Sequence, residues 1–423
     1  MGEITKEWLV RVGCALFATC LVLIADQWLP NFVHSEHLNL NWRAGLFSPR
    51  PDHQSRQLSI VAIDDNDLAG LDYTTPIDRH LLSQTLRKVA AYRPKVIALD
   101  ILFDRHTEAL KDDELTQTVK TIVTSGIPVV VANSPPKAGI STAGFAAKFQ
   151  DESGATSGFA NLLEASDEKS EDFVVSHIPG TSDGACSFPD SVAGLGKGHP
   201  CVRGVEEDAP IDWLLPPKDG RSNFAVFGPN LASPADASAD PAVTQAMTPF
   251  LKDRVVLVGG AFADEDEHKT PLSDLWALGQ SRLGMSTEGV EGRKSLKTGV
   301  STDGAMPGLL IQAQAIQQRL DGREYHDFNL LETGLICFVC GFVATLMITV
   351  KFIRRYIPLF ATAALIVFMV VDIATYKAMA YNFPGNLAGA TFTFSLLLSL
   401  IAAKAFTPEE LPETLEIVEK VLQ

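Results

Sequence analysis

Lys95-Val96-Ile97-Ala98-Leu99-Asp100-Ile101 is apolar at odd and even positions alike from Val96 to Leu99, is rich in β-branched residues, and reaches its first carboxylate only at Asp100. A run this short and this evenly apolar is a strand buried on both faces, the kind found in parallel sheets covered by helices. Three more stretches follow the same rule: Leu58 to Ile63, Ile127 to Ala132, and Arg254 to Val258, the last ending in Gly259 and Gly260. Helical patterns separate them. Asp78 is placed to cap a helix with Leu81, Leu82, Thr85, Leu86 and Val89 on one face, and a second helix is expected around Asp113 to Thr124. A third runs from Pro307 to about Leu320, with Pro at its start and Gly322 after its end. Alternating buried strands and helices predict an α/β domain, a largely parallel sheet with flanking helices.

Two looser regions interrupt this pattern. Ser134 to Phe250 is rich in Ser, Ala, Gly, Pro and Asp and holds short candidate strands at Phe173 to His177 and Asn223 to Phe227. Asp264 to Gly304 is charged and Gly-rich, and is either a surface excursion or a partner-docking loop. No internal repeat is evident.

Outside the α/β pattern stand four hydrophobic segments: Trp8 to Trp28, Leu331 to Phe352, Ile357 to Ala380 and Leu387 to Phe406. Each approaches the roughly 20 residues a helix needs to cross a bilayer. Lys6 and Arg11 precede the uncharged stretch Val12 to Ala25 of the first, and Lys351, Arg354 and Arg355 fill the loop between the second and third, so both belong on the cytoplasmic side. Four crossings then divide the chain into residues 1–28 (cytoplasmic N-terminus and first span), 29–330 (extracytoplasmic), 331–406 (three spans) and 407–423 (cytoplasmic tail). A cleaved signal peptide is the alternative for the first segment, but no small-residue cleavage site follows Ala25. In the tail, Leu411, Leu415, Val418 and Leu422 recur at helical spacing after Pro408 and Pro412, an amphipathic helix too short to stand alone. No cytoplasmic kinase, cyclase or phosphatase fits into it.

A chain of 423 residues with 46% hydrophobic and 20% charged residues has material for a sizeable core besides the spans. Its net charge of −16 argues against nucleic acid and against anionic head groups as partners. Of six cysteines, Cys14, Cys20, Cys337 and Cys340 fall in predicted spans. Cys186 and Cys201 remain, and in an oxidising compartment they are expected to form a disulfide; a metal site using His199 is the alternative. Cys337 and Cys340 spell C-x-x-C, which within an apolar helix reads as two small packing residues rather than a redox motif.

Several stretches together resemble the CHASE type-2 family, the extracytoplasmic sensory domains of bacterial cyclases and histidine kinases. Ile60 to Asp65 (IVAIDD) matches its opening block, Pro76 with Arg79 its Pro-x-x-Arg turn, and Lys95 to Phe103 its second strand. Gly158-Phe159-Ala160-Asn161 resembles its mid-domain element, and Leu251 to Gly260, Pro271 and Met306-Pro307-Gly308 leading to Ala313-Gln314-Ala315 follow its late pattern. The chain departs from that pattern at Thr74 and Thr75, where a Trp is usual, at Gln312, where a His is common, and around Val175 and Ser176, where an Arg is missing. The resemblance implies a bacterial inner-membrane protein with its main domain in the periplasm, and a sensor body separated from its usual output domain.

In a parallel sheet, groups at the carboxyl ends of strands face the ligand crevice. Asp64, Asp65, Asp100, Asp104, Gly259 and Gly260 occupy such ends and form a candidate site for a cation or a hydroxyl-rich ligand; the bland alternative is that the carboxylates cap helices and bond loop amides. Gly194-Leu195-Gly196-Lys197-Gly198 lacks the Ser or Thr of a phosphate loop, and no nucleophile elbow or HExxH is present, so no enzyme activity, cofactor or metal is expected. His34 and His37 follow the first span at helical spacing, where interfacial packing competes with pH sensing. Asp372 within the third span needs a partner, and Tyr376 lies one turn away as an intramembrane polar contact. Two functions are compatible with all this. One is a sensor of an envelope cue acting through separate envelope or cytoplasmic proteins; the other is a structural subunit scaffolding a larger membrane complex. The expected partners are the lipid bilayer and other proteins, as a homo-oligomer or a hetero-complex, with no nucleic acid.

Overall fold

A computed structural model describes residues 3–28, 48–71, 76–103, 105–134, 145–165, 174–178, 185–202, 209–219, 221–262, 267–270, 272, 306–323, 326–348 and 385–406, with isolated positions between 356 and 382. Asp104, His34 and His37, most of the segment 357–380 with Asp372 and Tyr376, the tail 407–423 and nearly all of 264–304 lie outside the described residues. The chain divides into two units, residues 41–324 and residues 1–40 with 325–423.

The strands in chain order are β1 (Leu58–Ile63), β2 (Val96–Asp100), β3 (Val129–Asn133), β4 (Thr156–Phe159), β5 (Leu163–Ala165), β6 (Val174–Ile178), β7 (Ala209–Pro210), β8 (Ala225–Phe227), β9 (Val255–Gly260), β10 (Glu267–His268), β11 (Met306–Pro307), β12 (His326–Asp327) and β13 (Tyr381–Asn382). Six of them build the sheet of the first unit in the order β4-β3-β2-β9-β1-β8, every pair parallel. The four apolar runs are its central strands. Their residues alternate between two cores: Leu58, Ile60, Val96, Ala98, Val255 and Leu257 face one, and Val61, Ile63, Ile97, Leu99, Val256 and Val258 the other. Both faces are dry, which is why the runs are apolar at almost every position; the exception, Ser59, is buried and donates its hydroxyl to Phe250 O.

The second core is covered by the helices Arg79–Ala90 and Ala109–Thr124 through Leu82, Leu86, Val89, Leu115, Val119 and Ile122, and by Phe145 and Phe149 of the helix Phe145–Ser153. The first core is covered by the helices Phe188–Lys197 and Gly308–Asp321. Gly308–Asp321 starts after Pro307 and ends on Gly322 at φ 68°, as its flanking residues predict. Eleven consecutive residues, Gly308 to Gln318, are buried, so this helix is enclosed rather than amphipathic.

The sheet's β4 edge is closed by the segment before Phe188. Phe159 N donates to Cys186 O at 3.0 Å, and Phe159 bridges Ser187 in parallel. Gly158 permits this approach, because a Cβ there would stand 2.6 Å from Phe188 Cα. Cys186 and Cys201 are joined in a disulfide across 15 residues, pinning both ends of the Phe188–Lys197 helix segment; this settles the choice left open at His199.

In the other unit, the helices Glu3–Trp28, Leu330–Met347 and Gly385–Phe406 pack together. The Trp8 and Phe342 rings lie 5.7 Å apart and tilted, Val22 meets Cys337 and Leu387, and a Cβ on Gly341 would stand 2.6 Å from Ser395 Oγ. Such close approach through small residues is how helices associate in lipid. Cys337 and Cys340 are not disulfide-bonded, and Cys337 is a buried packing residue. Among the described residues, two helices, with the spans Trp8–Ala25 and Leu330–Met347, are long and apolar enough to cross a membrane; Gly385–Phe406 contributes the shorter apolar stretch Leu387–Ala402.

Candidate functional site

Strand order places a topological switch at β9, which is inserted between β1 and β2, while β3 and β4 extend one side of the sheet and β8 the other. Ligands of open parallel sheets sit outside the carboxyl ends at such a point. Ala62, Gly259 and Asp100 form one row across β1, β9 and β2, and Ile63 pairs with Gly260 one position on. The sheet therefore gathers Asp64, Asp65, Asp100, Gly259 and Gly260 along one edge.

Their environments differ. Asp64, buried, caps the short helix Asp65–Leu68 by accepting from Asn66 N at 3.1 Å and Asp67 N at 3.2 Å, while Asp67 returns a bond to Asp64 N at 3.0 Å. This is the capping arrangement set against ligand binding at the outset. Asp65 is exposed, and Asp100 is half-buried. Gly259 permits a tight crossing, since a Cβ there would meet Leu309 Cδ1 at 2.6 Å and Asp100 O at 3.1 Å. Gly260 lies under the ring of Phe262.

On the face of the second core, the edge carries charges whose arrangement was not anticipated. Arg79 of the Pro-x-x-Arg turn has no exposed surface; its guanidinium lies 4.5 Å over the Phe103 ring, and its Nε is 3.8 Å from Asp112 Oδ1. Asp112 also accepts from Thr107 N at 2.9 Å and Thr107 Oγ1 at 2.8 Å, and His106 Nδ1 lies 3.3 Å from it. Lys111 bridges Asp78 at 2.7 Å and Glu108 at 2.6 Å, and Glu114 joins His80 at 2.7 Å to Arg87 at 2.9 Å. A polar network thus ties the Arg79–Ala90 helix and its cap to the Ala109–Thr124 helix. Burial raises the Asp78 pKa, but the Lys111 ammonium and the Leu81 amide outweigh it and hold the carboxyl below its ordinary range. A depressed carboxylate contributes stability that is complete above its unfolded pKa, about 3.9, and is lost as pH falls through the folded value. The melting temperature should fall below about pH 4, and Asp78→Asn, which keeps the cap and deletes the ion pair, should flatten that fall. An unchanged acid slope in the variant contradicts this assignment.

On the opposite face, the enclosed helix Gly308–Asp321 presents four buried glutamines, Gln312, Gln314, Gln317 and Gln318, to none of which the sequence assigned a role. Gln318 accepts from Asp212 N at 2.8 Å and donates to Pro210 O at 3.0 Å; Gln314 accepts from Leu214 N at 3.2 Å. Their i, i+4 spacing lets one helix face pair with an extended backbone as a neighbouring strand would. Gln317 accepts from Ser55 Oγ at 2.7 Å. Gln312 donates to Ala160 O at 2.6 Å, just past the end of β4, while its Oε1 is buried and has no hydrogen-bond partner among the described residues. Repeated Gln in an otherwise apolar helix was the available signal. Asp212, itself buried, pairs with Arg323, and Arg319 Nε lies 2.9 Å from Asp190 Oδ1. Among the described residues, no cluster of three or more His, Cys, Asp or Glu is arranged to hold a metal ion.

No curated protein and no solved structure matches the chain. A family model for the CHASE2 domain matches residues 15–347 of the 423, from within the Glu3–Trp28 helix to the end of Leu330–Met347, and the chain therefore belongs to this family of extracytoplasmic sensory domains.

Proposed function

We propose that this protein is a non-catalytic, membrane-anchored sensor of the bacterial inner membrane. Its α/β domain meets an envelope cue in the periplasm at the carboxyl edge of the sheet, and it acts on separate partner proteins through its membrane helices. The observation that carries this reading is the path of one helix. Gly308–Asp321 begins at the strand ends, where Leu309 packs over Gly259, and only residues 322–329 separate its end from Leu330–Met347. An enclosed helix tied by Gln314 and Gln318 to the 210–214 segment moves as a rigid element, so a change at its start reaches the chain entering the apolar helix.

Extraction from native membranes in mild detergent, followed by mass and composition analysis, tests the reading. A bare homo-oligomer is expected. Partners retained at fixed stoichiometry through purification would instead make the protein a scaffold subunit.

A further inference from the structure

We infer that the outer face of the helix Pro241–Leu251 joins this chain to a second copy of itself, as an antiparallel pair centred on Ala246. The inference rests on the homo-oligomer expected above and names the face that forms it.

This helix reads PAVTQAMTPFL and carries no charged side chain. Its inner side is fixed to the α/β domain. Met247 and Leu251 pack on the second core, the Phe250 ring meets Phe227 of β8 at 6.1 Å, and Ser59 of β1 donates to Phe250 O. On the outer side, Ala242, Gln245, Ala246 and Pro249 are exposed at the i, i+3, i+4, i+7 spacing of one helix face, and Val243 beside them is 45% exposed. The hydroxyls of Thr244 and Thr248 turn back to the backbone, donating to Pro241 O at 2.9 Å and Thr244 O at 2.8 Å. By contrast, the helix Arg79–Ala90 exposes Gln84 and Arg87, and Ala109–Thr124 exposes Asp113, Gln117 and Lys120. A helix that packs on a core from one side and stays uncharged on the other has the pattern of a covered surface.

The charges at its two ends select what covers it. Asp236 and Asp240 are exposed at its start, with Lys88 near the former. At its end, exposed Lys252 leads into Asp253 and Arg254. Asp253 N donates to Arg93 O at 3.2 Å and Lys95 N to Arg254 O at 2.8 Å, which brings Arg93 and Lys95 alongside, and Arg56 lies near Arg254. The start is acidic and the end basic. Such a face is complementary to itself turned end for end, the condition for an isologous two-fold contact. Residues 240 and 252 are equidistant from 246, so a two-fold axis at Ala246 sets Asp240 of each copy towards Lys252 of the other. With only a methyl group at the crossing, the helix axes approach to the short end of the usual range of about 8–10 Å. A chain of net charge −16 repels its own copy, and an uncharged face between matched charges is where that repulsion is least. The contact is about 16 Å long, short for a freely diffusing dimer. Anchoring in one membrane raises the effective concentration of the two copies and offsets this.

Ala246→Cys and Gln117→Cys in the full chain, each mildly oxidised in native membranes beside the unsubstituted chain, test the inference. Facing positions at a close crossing come within the roughly 7 Å Cα separation that a disulfide spans, so Ala246→Cys should reach dimer mass at least about fivefold more than either control. Adding Lys252→Glu should lower that yield by about fivefold or more, because two attractions become two repulsions. All three positions are exposed, which keeps the variants folded. A yield at the level of the controls, a yield indifferent to Lys252→Glu, or a cross-link to a different polypeptide overturns the proposal. A homo-oligomer that persists in detergent without the Ala246 cross-link overturns this face alone, whereas other proteins retained at fixed stoichiometry in place of a second copy overturn both the face and the homo-oligomer.

Discussion

Arg323→Ala is expected to destabilise the α/β domain by about 3–5 kcal/mol, because it leaves a buried carboxylate without its cation. The Asp212 side chain has no exposed surface and pairs with the Arg323 guanidinium, itself 18% exposed. Asp212→Ala belongs at the lower end of that range, since Arg323 Nε keeps Asp321 at 3.1 Å and the guanidinium retains some access to water. The same segment is held by Gln314 and Gln318, so its release would also strip their hydrogen bonds. Chemical denaturation of the two variants measures the difference directly. Lys218→Ala, which removes an exposed partner of Asp52, serves as a control with no measurable change expected. A loss below about 1 kcal/mol in Arg323→Ala would place the pair in a surface regime and contradict its burial.

Replacing Cys186 and Cys201 with serine should cost about 3 kcal/mol, the value expected when a loop of roughly 15 residues is no longer closed in the unfolded chain. A local consequence accompanies the global one. Cys186 O accepts from Phe159 N, so the tether also keeps the segment before Phe188 against the β4 edge. Hydrogen exchange at Phe159 should accelerate more than exchange in β2 or β9, which lie inside the sheet. Equal acceleration across all three strands would mean that the disulfide stabilises only through the unfolded state.

The central strands were legible because burial on both faces leaves little room for polar residues, so LSIVAI at 58–63 and VIAL at 96–99 stand out as nearly unbroken apolar runs. The boundaries of Gly308–Asp321 were legible from Pro307 and Gly322 for a similarly local reason. Strand order was not, since β9 enters between β1 and β2 through pairings more than 150 residues apart in sequence. β4, reading TSGF, is an edge strand with little burial and carries no apolar signal. The Phe188–Lys197 helix was hidden by its glycines: Gly194 makes room for the returning chain at His199 and Cys201, and Gly198 ends the helix at φ 87°. What resembled a fragment of a phosphate loop is a helix end folded under a disulfide.

The candidate site was legible only as an edge. Asp64, Asp100, Gly259 and Gly260 were found because strand ends can be counted, but the roles of individual side chains depend on what crosses above them. Asp64 turned to its own helix, and Gln312, noticed in the sequence only as a departure from the family pattern, came to the strand ends from a segment about 150 residues away in sequence.

Gly259→Ala in the full chain, followed by hydrogen exchange in lipid nanodiscs, tests the coupling on which the sensory account depends. The added methyl presses on Leu309 Cδ1, a movable side-chain end, and so perturbs the start of the enclosed helix without any ligand. The account predicts altered exchange along Gly308–Asp321 and onward through residues 322–335, with the Ala109–Thr124 helix on the other face unchanged. A change confined to β2 and β9 beside the substitution would show that the strand edge does not communicate with the membrane helices.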